Sequence, residues 1–324
     1  MNKEVVLDVK NLETHFFTDV GVVKAVNDVS FTLHKGEVMG IVGESGSGKS
    51  VTNLSVMNLI QSPPGKIVGG EVIFNNENIL KMPVKQLRNI RGSKIAMIFQ
   101  DPMTSLNPFL RVSTQLIETI MLHQKVTRAE AHKRAIDMLT LVGIPAAEER
   151  IHNYPHQFSG GMCQRVMIAM GMSCNPEILI ADEPTSALDV TIQAQILDLM
   201  NNLTKKFGTA VILITHSLGV VAGMCDTLCV MYAGKIVERG KTEAIFKNPK
   251  HPYTIGLIDS VPRHDKPDVE QLFSIPGQPP NVINLPDCCP FFPRCSKMQE
   301  RCKTAYPPYK DFGDGHGAAC WANT

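Results

Sequence analysis

The sequence predicts an α/β fold with a largely parallel sheet, and three observations lead to this prediction. A glycine-rich loop at 43–50 directly follows the apolar run 38–42. Two nearly continuous apolar runs, 178–181 and 211–214, are separated by a helical stretch over 191–207. Strands that read as unbroken apolar runs and alternate with helices are typical of a sheet covered on both faces.

The elements around this core extend the prediction in chain order. Short strands at 5–9, 22–26 and 29–33 form an antiparallel layer ahead of the loop. Further strands are expected at 71–74 and 94–99, and helical spacing over 113–142 indicates an insert of helices. A change to proline-rich, irregular sequence places a domain boundary near residue 246. The predicted organisation is a domain 1–245, with a helical subdomain about 104–172, and an extension 246–324.

Composition excludes several functions. The 32 Lys and Arg residues nearly balance the 31 Asp and Glu residues, so the chain lacks the basic stripe that nucleic-acid binding requires. Its apolar runs are shorter than the about 18 to 20 residues of a membrane span, so we expect any membrane role to pass through a partner. The charged N-terminus lacks the apolar core of a signal peptide, which favours a reducing cytoplasm.

The loop at 43–50 matches the pattern G-x-x-x-x-G-K-[ST], which defines a P-loop. Glycines let backbone N–H groups converge on phosphate oxygens, and the helix that follows adds its N-terminal dipole. Lys49 is expected to reach the β- and γ-phosphates of ATP, and the Ser50 hydroxyl to bind Mg²⁺. The predicted nucleotide-binding residues are Gly43, Ser45, Gly46, Gly48, Lys49, Ser50 and Val51.

Two acids end the apolar run at 178–181. Asp182 is predicted to hold Mg²⁺ through water, and Glu183 to act as the general base on the attacking water. An acidic strand end facing solvent is the alternative interpretation. The P-loop upstream favours the catalytic one.

The segment Ser159-Gly160-Gly161 lies between the P-loop and the two acids, and an apolar helical run follows it. With this motif the chain resembles an ABC transporter ATPase. The resemblance implies a P-loop NTPase core of the ABC type, with an antiparallel β-subdomain and a helical subdomain. It also implies that the serine and both glycines bind the γ-phosphate of ATP held by the opposite subunit.

The resemblance assigns four further residues. Gln100 matches the glutamine that senses Mg²⁺ and the lytic water, and Asp189 ends the D-loop 186–189. His216 matches the switch histidine on the γ-phosphate. Phe16 is the choice for stacking on adenine, with Phe17 close behind and a core role as the alternative for either.

Segments 100–108, 248–254, 275–280 and 289–295 narrow the resemblance to the ATPases of dipeptide/oligopeptide importers. The implied partners are a homologous second ATPase, two transmembrane permease subunits and, indirectly, a peptide-binding protein, at the cytoplasmic face of the membrane. Related ATPases energise import of nickel, glutathione or antimicrobial peptides, so these cargoes stay open. A second class of function is that of a regulatory protein that responds to metal or redox state. The presence of Glu183 and His216 argues against this class.

Five of the nine cysteines lie in the last 37 residues. Cys289, Cys295, Cys302 and Cys320 match positions at which some members of this subfamily hold a [4Fe-4S] cluster. A tetrahedral Zn²⁺ site and four reduced thiols are the alternatives, and the lack of a tight C-x2-4-C pair favours iron–sulfur over zinc. The expected extension is therefore a small, irregular, metal-binding lobe, with Cys288 able to replace Cys289.

Overall fold

Strands and helices alternate along this computed structural model, which describes residues 4–186, 188–261 and 274–323. The strands are β1 (Val5–Thr18), β2 (Gly21–His34), β3 (Val38–Val42), β4 (Gly65–Phe74), β5 (Glu77–Asn78), β6 (Ile95–Ile98), β7 (Ile178–Asp182), β8 (Ala210–Ile214), β9 (Thr227–Tyr232), β10 (Lys235–Lys241), β11 (Tyr309–Asp311) and β12 (Gly317–Ala319). The α-helices are α1 (Lys49–Val56), α2 (Val84–Ile90), α3 (Pro102–Ser105), α4 (Val112–His123), α5 (Arg128–Leu141), α6 (Ala147–Arg150), α7 (Gly160–Met172), α8 (Val190–Phe207), α9 (Leu218–Met224), α10 (Thr242–Lys247) and α11 (Pro252–Asp259). Short 3-10 helices cover Ile79–Lys81, Pro155–Gln157, Phe292–Arg294, Glu300–Lys303 and Trp321–Asn323.

Contacts divide the described residues into two units. The first takes in Met1–Val6, His34–Glu37 and Lys81–Ile214. The second takes in Leu7–Leu33, Val38–Leu80 and Thr215–Thr324. The domain boundary near residue 246 stays a prediction.

The first unit is built on three parallel strands in the order β8-β7-β6. Ile178 of β7 pairs with Ile95 of β6, and Asp182 of β7 pairs with Ile214 of β8. Every residue of β7 and β8 is buried, as the continuous apolar runs predict. Because the strands are parallel, the residues that follow β6 and β7 emerge at the same edge of the sheet.

Helices α3 to α7 of the same unit lie in the region where the sequence predicts a helical insert. Helices α4, α5 and α7 pack against one another, and this packing buries Leu116, Ile120 and Leu139 completely. The helical spacing over 113–142 thus corresponds to the core-facing sides of two successive helices.

In the second unit, an antiparallel sheet has the strand order β2-β1-β4-β5. The sequence predicts three short strands ahead of the P-loop, but β1 and β2 are single strands of 14 residues each. Asn11 and Asp28 have left-handed backbone inside these strands, with φ of 46° and 62°. The Asn11 side-chain amide donates to the Asp28 carboxylate at 2.7 Å. These turn-type residues therefore sit at irregularities that the strands pass through, and they do not end the strands.

A second sheet region of this unit joins the tail to the P-loop strand. Strand β3 runs parallel to β9, and β9 forms a hairpin with β10 through Ala233-Gly234. Strand β12 pairs antiparallel with β10, and β11 pairs antiparallel with β12. The tail, which the sequence predicts to be irregular, thus contributes two short strands to a sheet.

A buried carboxylate anchors the tail. Glu238 of β10 is fully buried, and it accepts from the backbone N–H groups of Lys250 and His251, each at 2.8 Å. His316 Nε2 lies 2.8 Å from the same carboxylate. A buried carboxylate is tolerated only where such partners replace water, so the tail and β10 depend on each other.

The His251 imidazole is buried beside this anchor. Its Nδ1 accepts from the backbone N–H of Tyr253 at 3.1 Å and so caps α11. Burial lowers the pKa of His251 from 6.5 to about 3, because an imidazolium there would lose the water that solvates its charge.

The lowered pKa of His251 predicts that the folded protein loses stability in acid. Between pH 6.5 and about 3 the unfolded chain binds a proton that the folded chain does not, so the free energy of unfolding falls as pH drops through this window. We expect the share of His251 in this loss, from pH 7 to pH 5, to be roughly 2 kcal/mol. The variant His251→Asn keeps a side-chain acceptor at the helix start and should lose less stability over that interval in urea unfolding. An equal loss in both proteins would contradict the assignment.

Candidate nucleotide-binding and catalytic site

The P-loop connects β3 to α1 through a backbone that only glycine accommodates at two positions. Gly43 has φ of 156°, and a Cβ there would lie 2.2 Å from the Met231 carbonyl oxygen. Gly48 has φ of 103°, and its Cβ would lie 2.3 Å from the Ala25 carbonyl oxygen. Gly46 has φ of 78°, and a Cβ there would have open space for 4 Å among the described residues. Close backbone packing therefore explains Gly43 and Gly48, and loop conformation alone explains Gly46.

The P-loop carries a cationic group and an uncapped helix start. Lys49 is 7% exposed, and its Nζ donates to the carbonyl oxygens of Gly43 and Glu44 at 2.8 and 3.0 Å. No described side chain caps α1, and its first turn has no acidic residue. The buried Ser47 hydroxyl finds no hydrogen-bond partner among the described residues. This donor set fits a bound polyphosphate, and the exposed Ser50 hydroxyl is of the chemistry that Mg²⁺ accepts.

In the first unit, the structure brings two predicted catalytic residues together. Gln100 Nε2 donates to Glu183 Oε2 at 3.1 Å. The Glu183 N–H donates to the Ile214 carbonyl oxygen at 2.9 Å, so the residue directly after β7 is held by the neighbouring strand. Glu183 has φ of 45°, a conformation that costs a non-glycine residue on the order of 1 kcal/mol or more and is frequent at functional sites. Asp182, the last residue of β7, is 8% exposed.

The predicted signature residues lie at the start of α7, also in the first unit. The Ser159 hydroxyl accepts from the Met162 N–H at 3.3 Å and caps the helix. A Cβ on Gly161 would lie 2.8 Å from Ile192 Cγ2, whereas one on Gly160 would have its nearest neighbour at 3.8 Å. Gly161 thus permits α7 to approach the first turn of α8.

Asp189 of the predicted D-loop has a structural partner of its own. Its carboxylate accepts from the Ile192 N–H at 3.0 Å and caps α8. Ala187, in the same predicted motif, lies outside the described residues. The roles of Ser159, Gly160, Gly161 and Asp189 toward nucleotide stay predictions.

The remaining predicted residues lie in the second unit. His216 is exposed, immediately before Ser217, which caps α9. Phe16 of β1 pairs with Gly65 of β4, and a Cβ on Gly65 would lie 2.9 Å from the Phe16 ring. Phe17 is 51% exposed. Phe16 is therefore packed on β4, and Phe17 reaches solvent. Stacking of either ring on adenine stays a prediction.

The tail cysteines do not form a site for a single metal ion. Within 4–186, 188–261 and 274–323, no three His, Cys, Asp or Glu residues are grouped closely enough to hold one. Cys289, Cys302 and Cys320 are buried, and burial raises the pKa of Cys289 to about 12. The predicted metal-binding character of the lobe is therefore not supported by the residues that the structure describes.

Comparison with known proteins places this chain in a family. The family model for ABC transporters matches residues 26–186, and the model for the oligopeptide/dipeptide transporter C-terminal region matches residues 237–302. The oligopeptide transport ATP-binding protein OppD of Salmonella typhimurium is 53% identical over 98% of this chain and 93% of its own length. The dipeptide transport ATP-binding protein DppD of Bacillus subtilis is 51% identical over 98% of this chain and 95% of its own length.

The chain belongs to the ABC transporter ATPases.

Solved structures of ABC cassettes agree with this assignment. The dimeric cassette MJ0796, bound to ADP and Pi in a post-hydrolysis state, has a TM-score of 0.65 and 28% identity, covering 73% of this chain and 98% of that chain. The cassette cbiO1 of Clostridium perfringens has a TM-score of 0.63 and 27% identity, covering 76% of this chain and 92% of that chain. The predicted ABC-type ATPase fold is thus confirmed. None of the described helices has the length and apolarity needed to cross a bilayer.

This ABC ATPase also has two tail residues at its P-loop that the sequence motifs do not identify as functional. The Tyr253 hydroxyl accepts from the backbone N–H of Glu44 at 2.8 Å, and Arg294 forms an ion pair with the Glu44 carboxylate. Both residues fall within the segments typical of the oligopeptide-importer extension. Their position in those segments was the available sequence signal for a function. Their contact with the P-loop could not be predicted, because both residues lie far from the loop along the chain.

The two kinds of P-loop glycine predict different costs of substitution. Gly48→Ala and Gly46→Ala both place a side chain on left-handed backbone, which costs about 1–2 kcal/mol, but only Gly48→Ala also meets a backbone oxygen at 2.3 Å. We expect Gly48→Ala to abolish binding of a fluorescent ATP analogue and to lower Tm clearly more than Gly46→Ala. Equal losses of Tm would show that the contact with Ala25 does not constrain the loop.

Proposed function

We propose that this ABC ATPase hydrolyses ATP to energise a membrane importer of dipeptides and oligopeptides. The observation that carries the catalytic part is the hydrogen bond between Gln100 and Glu183 at the carboxyl edge of β6 and β7. The cargo rests on the relatives' names and on the match of residues 237–302 to the oligopeptide/dipeptide C-terminal region. Importers of nickel, glutathione or antimicrobial peptides are the alternative cargo classes.

In the proposed reaction, the P-loop and Lys49 bind the phosphates of ATP. Ser50, Gln100 and Asp182 would hold Mg²⁺, which neutralises charge on the β- and γ-phosphates when bound. Glu183 accepts a proton from water as the water oxygen attacks the γ-phosphorus and ADP leaves. Gln100 orients the Glu183 carboxylate, and His216 contacts the γ-phosphate.

The proposed assembly contains a second, homologous ATPase. Ser159, Gly160 and Gly161 would bind the γ-phosphate of ATP held by that partner, with Asp189 at the interface. The helix start at Gly160 provides backbone donors for such a contact. Closure of the pair on ATP and opening after hydrolysis would drive the permease subunits.

An exposed apolar segment supports docking to those permease subunits at the cytoplasmic face of the membrane. Phe99, Met103 and Phe109 are 45%, 51% and 87% exposed, and all lie in or beside the segment 100–109. Large apolar side chains grouped on a surface are typical of interaction sites. We infer that this segment receives a helix of the permease, and that a peptide-binding protein acts through the permease.

The variant Glu183→Gln tests the catalytic assignment. It keeps an acceptor for Gln100 but cannot take a proton, so ATP turnover should fall on the order of 10²-fold or more while ATP binding persists. Glu148→Gln, an exposed carboxylate of α6, is the matched control and should keep both activities. Retained hydrolysis in Glu183→Gln would remove the general-base role.

Uptake by intact cells tests the cargo. Cells with wild-type protein should import a labelled dipeptide, and cells with Glu183→Gln should not. Uptake of labelled nickel or glutathione in place of peptide would reassign the cargo and leave the ATPase assignment intact.

For the tail, we propose a [4Fe-4S] cluster on Cys289, Cys295, Cys302 and Cys320. Ligands of one tetrahedral metal ion would bring their sulfur atoms within about 3.8 Å of one another. A four-iron cluster is larger, so its cysteines lie further apart. In support, the backbone N–H of Cys289 donates to the Cys302 carbonyl oxygen at 3.1 Å, so the fold brings two of the four cysteines next to each other.

Anaerobic purification with metal and sulfide analysis tests the cluster. Iron and acid-labile sulfide in equal amounts, both lost in Cys295→Ser, would support it. Cys174→Ser, which changes a cysteine outside the tail, should leave both unchanged. A protein purified under these conditions without iron would contradict the cluster.

A further inference from the structure

One tail arginine makes a two-point contact with the P-loop. Arg294 Nη1 donates to Glu44 Oε2 at 2.7 Å, and Nη2 donates to Glu44 Oε1 at 2.9 Å. The Arg294 side chain is 5% exposed and that of Glu44 is 27% exposed. Paired, parallel hydrogen bonds between a guanidinium and a carboxylate are strong and directional.

The guanidinium is fixed by further contacts besides Glu44. Arg294 Nε donates to the Pro276 carbonyl oxygen at 2.9 Å, and Nη1 donates to the Tyr232 hydroxyl at 3.2 Å. Its carbon Cζ lies 6.0 and 5.9 Å from the ring centroids of Tyr232 and Phe291. The tail therefore holds this cation in one orientation against the P-loop.

Glu44 occupies a position where a carboxylate needs a counter-charge. It follows Gly43 in the loop that fits a polyphosphate, and its own carbonyl oxygen accepts from Lys49 at 3.0 Å. An uncompensated carboxylate in this loop would repel phosphate groups of the same sign. Removing one partner of a largely buried ion pair leaves the other charge uncompensated.

The tail also holds the backbone of the same residue. The Tyr253 hydroxyl accepts from the Glu44 N–H, and the Tyr253 ring lies 4.5 Å from that of Tyr232 and 5.4 Å from that of Phe291. Tail residues Pro279, Pro280 and Val282 line a cavity of about 100 Å³ together with loop residues 44–47. Contacts from several tail segments thus converge on this part of the loop.

We propose that Arg294 is a positioning residue for ATP binding: it neutralises Glu44 and fixes the P-loop, so that the docked tail sets the affinity for nucleotide. The role is electrostatic as well as mechanical. It rests on the proposed binding of ATP phosphates by the P-loop.

The proposed electrostatic role of Arg294 predicts that a second substitution, at Glu44, restores ATP binding. A purely structural role does not predict this. Arg294→Ala leaves the Glu44 charge uncompensated, so the Kd for a fluorescent ATP analogue should rise tenfold or more. The KM for ATP should rise in parallel, and kcat at saturating ATP should change less than threefold. In the double variant Arg294→Ala/Glu44→Gln, the charge is gone from both partners, and Kd should return to within threefold of wild type.

Salt gives a second readout. Repulsion between Glu44 and phosphate is screened by ions, so the ratio of the Kd of Arg294→Ala to that of wild type should shrink as salt rises. Lys303→Ala, which removes an exposed ion pair with Glu300 in the same tail, is the control and should match wild type.

The outcomes separate the possibilities. Equal weakening in Arg294→Ala and in the double variant, with a salt-independent ratio, would overturn the electrostatic role and leave Arg294 as an anchor of the tail. Wild-type protein that binds no nucleotide would instead refute the proposed function of the P-loop. If Arg294→Ala does not fold, Arg294→Gln with and without Glu44→Gln provides the same comparison.

Discussion

The close approach of three backbone segments at the P-loop is the constraint on which much of the second unit depends. Gly43 lies against the Met231 carbonyl oxygen and Gly48 against the Ala25 carbonyl oxygen. The loop can approach these two atoms only because neither residue has a side chain. Gly234 completes the arrangement, since its N–H donates to the Ser47 carbonyl oxygen at 2.9 Å and its own carbonyl oxygen accepts from Asn27 at 2.8 Å. Strand β2, the P-loop and the β9–β10 hairpin therefore determine one another's positions.

Two carboxylates connect the tail to this framework. Glu238 accepts from backbone and imidazole donors at the base of the tail, and Glu44 accepts from Arg294 at the loop. A carboxylate removed from water is costly unless donors replace that water. Because the docked tail supplies these donors, each carboxylate is more stable with the tail in place than without it. This gives a physical reason why a small lobe with little regular structure stays attached to an ATPase core.

The catalytic edge of the first unit is built differently. Parallel strands β6 and β7 bring Gln100 and Glu183 within hydrogen-bond distance, and the left-handed backbone of Glu183 is held by its N–H bond to β8. Here the sheet supplies the geometry and the loop residues supply the functional groups. The helix caps Ser159 and Asp189 show that residues with a predicted role toward nucleotide also stabilise the helices on which they lie.

The sequence by itself determined the features that depend on local pattern. These are the P-loop, the buried parallel strands β7 and β8, the helical insert, and the acids that end β7. Each follows from residue type and spacing, because glycine freedom and apolar periodicity act over a few neighbouring residues. The family resemblance added Gln100, the Ser-Gly-Gly motif and His216. Local pattern was misleading at Asn11 and Asp28, where turn-forming residues lie inside long strands, and in the tail, where β11 and β12 form only because β10 offers an edge.

Tertiary structure alone decided which distant residues meet. Arg294 lies 250 positions from Glu44, and His316 lies 78 positions from Glu238, so no periodicity or spacing rule connects them. Their pairing depends on where the tail docks, and docking depends on the summed burial and hydrogen bonding of the whole lobe. Sequence therefore predicts which groups can do the chemistry, whereas only the folded chain decides which charges compensate one another, because electrostatic interactions depend on distance in space.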